Sequence, residues 1–417
     1  MRAQPFMVRP HNPMPESRYE VLALFTGAMI GASLFIMATG TLMPFLENAF
    51  HLGQTQLGLV LSVQMAGSLI MTAVAGMLTD RFGDKRVVLW TGLFMGISLL
   101  VGAAIQNFGW LLFWLLMYGI GFAAVTPSGS HAIVYFFKKE ERGLAMGIRQ
   151  CGVPVAGVIG SIVLPAIALR FDYQWALAAA GVVTIVTCSL ASLLYREPVE
   201  LEGERVSVRG MLAEMVAIAR DGRLILMTLV SMILVSVQLA VMAFLTLTIV
   251  HEANAALAVA IGMFTISQVA AIAGRVFWGW SSDSIFGGKR ALPLATVCVI
   301  TAALCALFSF MTPATPLWLI AIVCAALGFA AEGWFGVAVL GFAEIGGEEH
   351  CGSALGVALT WVFLAAFIAP TLFGAIAEVY GYPFAWRGIG VLQLAGIPPA
   401  LMAAAFMAKF AATAKSS

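Results

Sequence analysis

The sequence predicts an all-α integral membrane protein whose 12 transmembrane helices form two pseudo-symmetric six-helix bundles. Three observations predict this fold: the composition, a regular succession of long apolar segments, and a repeat that relates the two halves. Of the 417 residues, 61% are hydrophobic and 10% are charged, whereas soluble domains carry about 25% charged residues. Because so few charges cannot cover a water-facing surface, lipid must be the solvent for most of the exterior.

A helix needs about 20 mainly apolar residues to cross the hydrocarbon core of a bilayer. Twelve segments satisfy this rule, and we label them α1 to α12 in chain order. They lie near 21–46, 57–79, 87–106, 110–136, 143–169, 175–195, 224–250, 257–281, 291–311, 317–342, 352–379 and 386–408. The connections on one side are only a few residues long, so no extracellular domain is expected.

Lys and Arg are distributed unevenly between the two sides of these segments. Loops rich in Lys and Arg stay in the cytoplasm. With the N-terminus inside, 18 of them fall on the cytoplasmic side and two, Arg170 and Arg387, fall outside. The sequence therefore predicts a multi-pass protein of the cytoplasmic or inner membrane with both termini in the cytoplasm. The α10–α11 loop, which has no Lys or Arg, is a local departure from this pattern.

The longest connection divides the helices six and six. Residues 196–222 carry ten charges in an otherwise apolar chain, which is typical of a linker between domains. We therefore predict an N-terminal six-helix bundle at 1–195, a cytoplasmic linker at 196–223 and a C-terminal six-helix bundle at 224–417.

The two halves also share sequence motifs. The charged segment from Gly76 to Arg86 follows α2, and a degenerate copy from Gly279 to Arg290 follows α8, 203 residues later. A second pair of segments opens α5 and α11 at a spacing of 209 residues. Duplication of a six-helix unit, a common plan among transporters, accounts for both repeats.

The first of these motifs, Gly76-Met-Leu-Thr-Asp80-Arg81-Phe-Gly83-Asp84-Lys85-Arg86, resembles the G-x-x-x-D-[RK]-x-G-x-[RK]-[RK] signature of the major facilitator superfamily. The resemblance implies a secondary transporter that works by alternating access. It also implies that this loop helps to close the cytoplasmic side against α11, with gating roles for Asp80, Arg81, Arg86 and, in the second copy, Asp283. A solvated charged turn is the alternative. Asp84 brings an acid into the basic end of the motif, and Ser284 replaces a usual basic residue in the second copy.

Four ionisable residues lie well inside predicted helices: His131 in α4, Arg149 in α5, Arg275 in α8 and Glu332 in α10. Such groups are costly in lipid unless they face protein or water, and they often mark a transport pathway. At 1.5 Å per residue, the first three lie roughly 10 to 12 Å from the cytoplasmic edge and Glu332 lies about 18 Å from it. We therefore expect one buried layer.

Charge in this layer points to an anionic substrate. Two guanidiniums against one carboxylate leave an excess of positive charge, which a bound anion would neutralise. The planar guanidinium of arginine also holds a carboxylate with two hydrogen bonds. In addition, the segment from Arg275 to Asp283 resembles the α8 segment of oxalate/formate antiporters and, more distantly, of monocarboxylate transporters. There the matching arginine binds the substrate carboxylate, which implies the same role for Arg275.

Each residue of the layer also has a structural alternative. Arg275 can pair with Glu332 and stiffen the C-terminal half, Arg149 can belong to the cytoplasmic gate, and His131 can be a satisfied polar residue. Glu332 and His131 are the candidates for proton coupling. For Glu332 the reason is that burial disfavours a charged carboxylate, although a neighbouring arginine opposes this effect.

Polar and aromatic residues elsewhere in the helices complete the predicted substrate site: Gln64, Tyr118, Gln150, Gln268 and Trp361. No Walker loop, HExxH motif or Cys/His cluster is present in the sequence, so we expect no metal, cofactor, nucleic acid or catalytic site. The six cysteines form no CxxC pair and are interpreted as packing residues.

These observations predict a monomeric, proton-coupled symporter of a small organic anion, with a carboxylate favoured. One alternative is a proton-coupled efflux antiporter for neutral or cationic drugs and metabolites, whose transport would survive Arg275→Ala. Another is a membrane enzyme or a channel. A channel would conduct without saturation, and an enzyme would need a catalytic constellation, which the sequence does not show.

Overall fold

The computed structural model describes residues 15–125, 128–137, 141–196 and 218–416. Twelve helices in these residues are long and apolar enough to cross a membrane. One corresponds to each predicted segment, so the prediction of twelve membrane-spanning helices is confirmed. Successive helices run in opposite directions, which places both ends of the bundle on one side. We call this the terminus side and the opposite side the far side.

The N-terminal half contains α1 to α6. Its helical segments are Pro15–Phe50 (α1), Gln54–Ala103 (α2 and α3), Phe108–Val125 and Ser130–Phe136 (α4), Arg142–Gln150 and Gly152–Arg170 (α5), and Tyr173–Leu194 (α6). The long α2–α3 run is divided at Gly83, whose φ of 79° lies in the left-handed region that glycine adopts without strain. Asp172 caps α6, because its Oδ1 accepts hydrogen bonds from two backbone amides of the first turn.

The C-terminal half contains α7 to α12. Its segments are Gly222–Glu252 (α7), Leu257–Ser284 (α8), Ala291–Phe308 (α9), Leu317–Ala331 and the first part of Phe335–Tyr380 (α10), the rest of that run (α11), and Tyr382–Ala395 and Ile397–Ser416 (α12). Gly347, with a φ of 67°, divides α10 from α11. Residues 197–217 lie outside the described residues, so the predicted linker stays a prediction.

Two helices that the sequence predicts as continuous are interrupted at equivalent places in the two halves. The long segment of α4 ends at Val125 and the helix resumes at Ser130, after Gly129 with a φ of 85°. The first segment of α10 ends at Ala331, and a turn precedes the segment that starts at Phe335. The number of residues from Val125 to Ala331 lies between the two spacings of the sequence repeats, 203 and 209 residues. The two interruptions are therefore related by the pseudo-symmetry.

The two halves pack together most closely toward the far side. A Cβ added at Gly58 in α2 would lie 2.3 Å from the carbonyl oxygen of Pro370 in α11, and one at Gly374 in α11 would lie 2.2 Å from that of Gln54. Only glycine permits such an approach of two helix backbones. The two half-bundles are thus in backbone contact at this end.

Hydrogen bonds between the halves also lie mainly toward the far side. Thr55 donates from its amide and its hydroxyl to Oε2 of Glu378, at 2.9 and 2.6 Å, and the hydroxyls of Ser62 and Thr371 are 2.8 Å apart. Among the described residues, the bond between the halves that lies nearest to the terminus side joins Arg275 to α5. The far side is therefore closed in this conformation.

Candidate functional site

The candidate site begins with the close packing of α8 against α10. A Cβ at Gly274 would lie 2.1 Å from the carbonyl oxygen of Phe329, and a Cβ at Gly328 would lie 1.9 Å from that of Ser267. The indole Nε1 of Trp278 donates to the same Phe329 oxygen at 3.1 Å. Because glycines bring the two backbones together, polar side chains of α8 reach the interruption of α10.

Glu332 lies at this interruption and is completely buried. Its Oε1 accepts a hydrogen bond of 2.7 Å from Nε2 of Gln268 in α8. Among the described residues, its Oε2 has no hydrogen-bond partner, and neither has the buried Nε1 of Trp334 two positions later. Buried polar atoms without partners are rare in folded proteins and require an explanation. A bound proton or ligand is one.

Arg275 lies on α8 near Glu332, close enough for their charges to interact. Arg275 as a whole residue is half-buried. Its Nη1 donates a long hydrogen bond of 3.3 Å to the carbonyl oxygen of Gln150 in α5, and its buried Nε has no partner within the described part of the chain. The guanidinium therefore keeps donor capacity that a carboxylate can use.

Arg149 and Asp84 occupy the corresponding interruption of α4. Arg149 is 1% exposed, and its Nη2 donates to the carbonyl oxygens of Val125 and Ser128 at 2.7 and 2.6 Å. Asp84, also 1% exposed, accepts a 2.7 Å hydrogen bond from the backbone amide of Ala132 at the start of the second segment. A cation at a helix C-terminus and an anion at a helix N-terminus are both stabilising. The charges of Arg149 and Asp84 also interact with each other.

Asp84 is the residue that sequence reasoning missed. The sequence shows it only as an acid at the basic end of the charged motif, and the count of two guanidiniums against one carboxylate does not include it. With Asp84 included, the charges of the layer form two groups, Arg149 with Asp84 and Arg275 with Glu332. An acid between Gly83 and Lys85, where the signature fixes no residue type, was the available signal.

Three predicted substrate residues lie in the N-terminal half. Gln64 is buried and donates to the carbonyl oxygen of Val60 at 2.8 Å. Tyr118 is buried, and its hydroxyl donates to the carbonyl oxygen of Ala32 at 2.6 Å. Gln150 is half-buried, and its backbone oxygen contacts Arg275. None of these contacts brings Gln64 or Tyr118 to Glu332.

The other predicted site residues fall into two groups. Trp361 in α11 is 51% exposed. The side chains of His131, Asp80 and Arg81 lie outside the described residues, so their predicted roles stay predictions.

At the terminus side, Asp283 pairs with Arg290 of its own half. Arg290 also binds Oε1 of Glu344 at 2.7 Å and the hydroxyl of Ser282 at 2.9 Å. These contacts tie the loop after α8 to α10. Arg86, in the equivalent loop of the other half, is exposed.

Relatives include transporters of different substrates. An uncharacterized MFS-type transporter of Mycobacterium tuberculosis is 26% identical over 92% of this chain and 84% of its own length. A 3-(3-hydroxy-phenyl)propionate transporter of Escherichia coli is 28% identical over 42% of this chain and 43% of its length. A multi-drug resistance efflux pump of Streptococcus pneumoniae is 30% identical over 33% and 35%.

The fold is shared with a solved structure. A bacterial homolog of the human lysosomal transporter Spinster, in an inward-facing and unoccupied conformation, superposes with a TM-score of 0.72 at 18% identity and covers 94% of this chain and 96% of that chain. The family model of the Major Facilitator Superfamily matches residues 24–370. With its twelve helices and two related halves, this chain belongs to the Major Facilitator Superfamily of membrane transporters.

Proposed function

We propose that this transporter carries a small organic anion, a carboxylate, together with a proton by alternating access. The observation that carries the proposal is the group formed by Arg275, Glu332 and Gln268. It combines a cation whose Nε has no hydrogen-bond partner among the described residues with a fully buried acid whose Oε2 likewise has none there. The group lies where α8 contacts both α10 and α5, a helix of the other half.

Arg275 can serve one of two anions at a time. When Glu332 is ionised, it neutralises Arg275, and a second carboxylate would bring excess negative charge into a poorly solvated site. When Glu332 is protonated, the charge of Arg275 is uncompensated and attracts an anion. Proton binding and anion binding therefore favour each other, and the effect is reciprocal by thermodynamic linkage. Such linkage is what proton symport requires.

The comparisons support a carboxylate without deciding the substrate. The Escherichia coli relative transports a phenylpropionate, whereas the Streptococcus pneumoniae relative exports drugs. An efflux antiporter for neutral or cationic compounds is therefore the alternative. It needs no cation in the site, so the two proposals differ in what they expect of Arg275.

We further propose that the terminus side faces the cytoplasm in a cytoplasmic or inner membrane and that the protein acts as a monomer. The distribution of Lys and Arg, 18 on this side and two on the other, supports the orientation. Because the hydrogen bonds between the halves concentrate on the far side, the described conformation is then closed to the outside.

Thermal unfolding of the purified protein with four probes tests the substrate class. The probes are 3-(3-hydroxyphenyl)propionate, lactate, benzenesulfonate and the cation tetraphenylphosphonium. A ligand at 100 times its Kd stabilises the folded state by about 2.7 kcal/mol through mass action. We expect at least one carboxylate to raise Tm, more strongly at acidic than at alkaline pH, because protonated Glu332 favours the anion.

Two variants decide whether such an effect arises at this site. Arg275→Ala should abolish the rise in Tm with carboxylates. Arg387→Ala should leave it unchanged, because Arg387 is exposed and bonds Ser309 near the far side. If only tetraphenylphosphonium stabilises the protein, or if the carboxylate effect is the same in Arg275→Ala, the proposal fails.

A further inference from the structure

Gln268 contacts the proposed proton site on one side and the opposite half of the protein on the other. Its Nε2 donates to Oε1 of Glu332 at 2.7 Å. Its Oε1 points toward α5, where a Cβ added at Gly157 would lie only 2.5 Å away. Gln268 is completely buried, and within the described part of the chain its Oε1 has no hydrogen-bond partner.

The amide of glutamine can serve both protonation states of a carboxyl group. An ionised carboxylate only accepts hydrogen bonds, whereas a carboxylic acid also donates one through its O–H. The amide N–H of Gln268 serves the ionised form of Glu332 as found. Protonated Glu332 needs an acceptor, and Oε1 becomes available when the amide turns over about its terminal bond.

Turning the amide over changes what Gln268 presents to α5. The NH2 group then faces the backbone at Gly157, where the oxygen was before. In this region the hydroxyls of Ser161 and Thr265 are 2.9 Å apart, so α5 and α8 are in direct contact across the two halves. A reversal of the amide on protonation of Glu332 thus alters a contact between the two halves.

We infer that Gln268 is a positioning residue that stabilises both protonation states of Glu332 by reversing its amide and thereby transmits the state to the α5–α8 interface. This inference rests on the proposed role of Glu332 in proton transport. Among the described residues, the charged group that faces Glu332 is Arg275 of α8, and Cys151 of α5 interacts with Arg275 from the other half. The proton itself comes from water and forms the O–H bond of Glu332.

Infrared difference spectroscopy between alkaline and acidic pH tests this inference without any substrate. Protonation of Glu332 should produce a carboxylic-acid C=O band that disappears in Glu332→Gln. In Gln268→Leu the band should move to higher wavenumber, because the hydrogen bond from the acid to the amide is lost. Gln393→Leu is the matched control, since Gln393 is a buried amide that bonds Ile233 in α7, and it should leave the band in place.

A glycine variant tests the same contact from the opposite half and covers the case in which Gln268→Leu does not fold. Gly157→Ala adds a methyl group beside Oε1 and should shift the band in the same direction as Gln268→Leu. Gly147→Ala in α5 meets nothing within 4 Å and should not.

The outcomes separate the inference from the proposed function. A band that depends on Glu332 but is unchanged in Gln268→Leu and Gly157→Ala overturns the inference and leaves the proton role standing. The absence of any such band overturns the proton role itself. A shift in both variants, with neither control affected, supports the inference.

Discussion

The interrupted helices α4 and α10 occupy equivalent positions in the two halves, but different kinds of groups form the hydrogen bonds at their interruptions. At α4, Arg149 donates to the carbonyl oxygens that end one segment, and Asp84 accepts from the amide that begins the next. At α10, Glu332 receives one hydrogen bond, and its second oxygen has no partner among the described residues. The charges at α4 thus bond the backbone ends of the interruption, whereas the acid at α10 bonds a side chain of the neighbouring helix α8.

This difference points to a structural role for the charges at α4 and a functional role for those at α10, at two related positions of the repeat. A buried charge that satisfies two helix ends is expected to contribute mainly to stability. A buried acid that bonds a side chain of a neighbouring helix, beside a cation at the boundary between the halves, is suited to bind and release a proton or a ligand. We therefore propose a structural role for Arg149 and a substrate-binding role for Arg275, although both are arginines in the predicted layer.

The largest expected effect is that of Arg149→Ala. Removing one partner of a buried charge pair typically destabilises a protein by about 3 to 5 kcal/mol, and here two helix-ending carbonyls also lose a donor. We expect a strongly lowered Tm and a poor yield of folded protein. Arg149→Lys should recover part of the loss, because it keeps the charge. If Arg149→Ala unfolds like the wild type but no longer binds carboxylates, the assignment to the scaffold is wrong.

Asp84→Asn should have an intermediate effect. Asparagine can still accept the hydrogen bond from Ala132, but it lacks the charge that faces Arg149, so we expect a loss of about 1 to 3 kcal/mol. Thermal unfolding of Asp84→Asn, Arg149→Gln and the double variant measures the coupling between the two positions, because each single change removes one of the two charges. Strictly additive effects would contradict a direct interaction.

Glu332→Gln should change transport far more than stability. The amide has the same shape and can still accept the hydrogen bond from Gln268, so we expect the free energy of unfolding to fall by only about 1 kcal/mol. In proteoliposomes, exchange of the carboxylate that raises Tm most should persist, whereas uptake driven by a pH gradient should be lost. Uptake that still follows the pH gradient in Glu332→Gln would exclude Glu332 as the coupling group.

The fold could be predicted from the sequence because each transmembrane helix needs a long apolar segment and because charged residues mark the loops between them. The twelve predicted segments all correspond to helices. The buried layer of ionisable residues could be predicted in part, since Arg275 and Glu332, which were expected to share it, lie near each other in the structure. Sequence alone could not show that Gln268 bonds Glu332, because this depends on how α8 rotates against α10.

The interruptions of the helices were harder to predict. Hydropathy is the same for a continuous and an interrupted helix, and an interruption persists only when distant side chains satisfy the freed backbone groups. Gly129 and the neighbouring Pro127 are signals for α4, but α10 has no proline there. The role of Asp84 depends on contacts that span 48 residues in sequence and that periodicity does not reveal.

The smallest expected effect is that of Asp283→Asn. Asp283 and Arg290 are oppositely charged like Asp84 and Arg149, but the side chain of Asp283 is 66% exposed, and Arg290 keeps Glu344 as a partner. Exposed ion pairs contribute about 0 to 1 kcal/mol and are screened by salt. We therefore expect thermal unfolding to show a change in the free energy of unfolding within that range at low salt and none at high salt. A loss as large as that of Arg149→Ala would show that charge pairing, and not burial at a helix end, determines the stability of these groups.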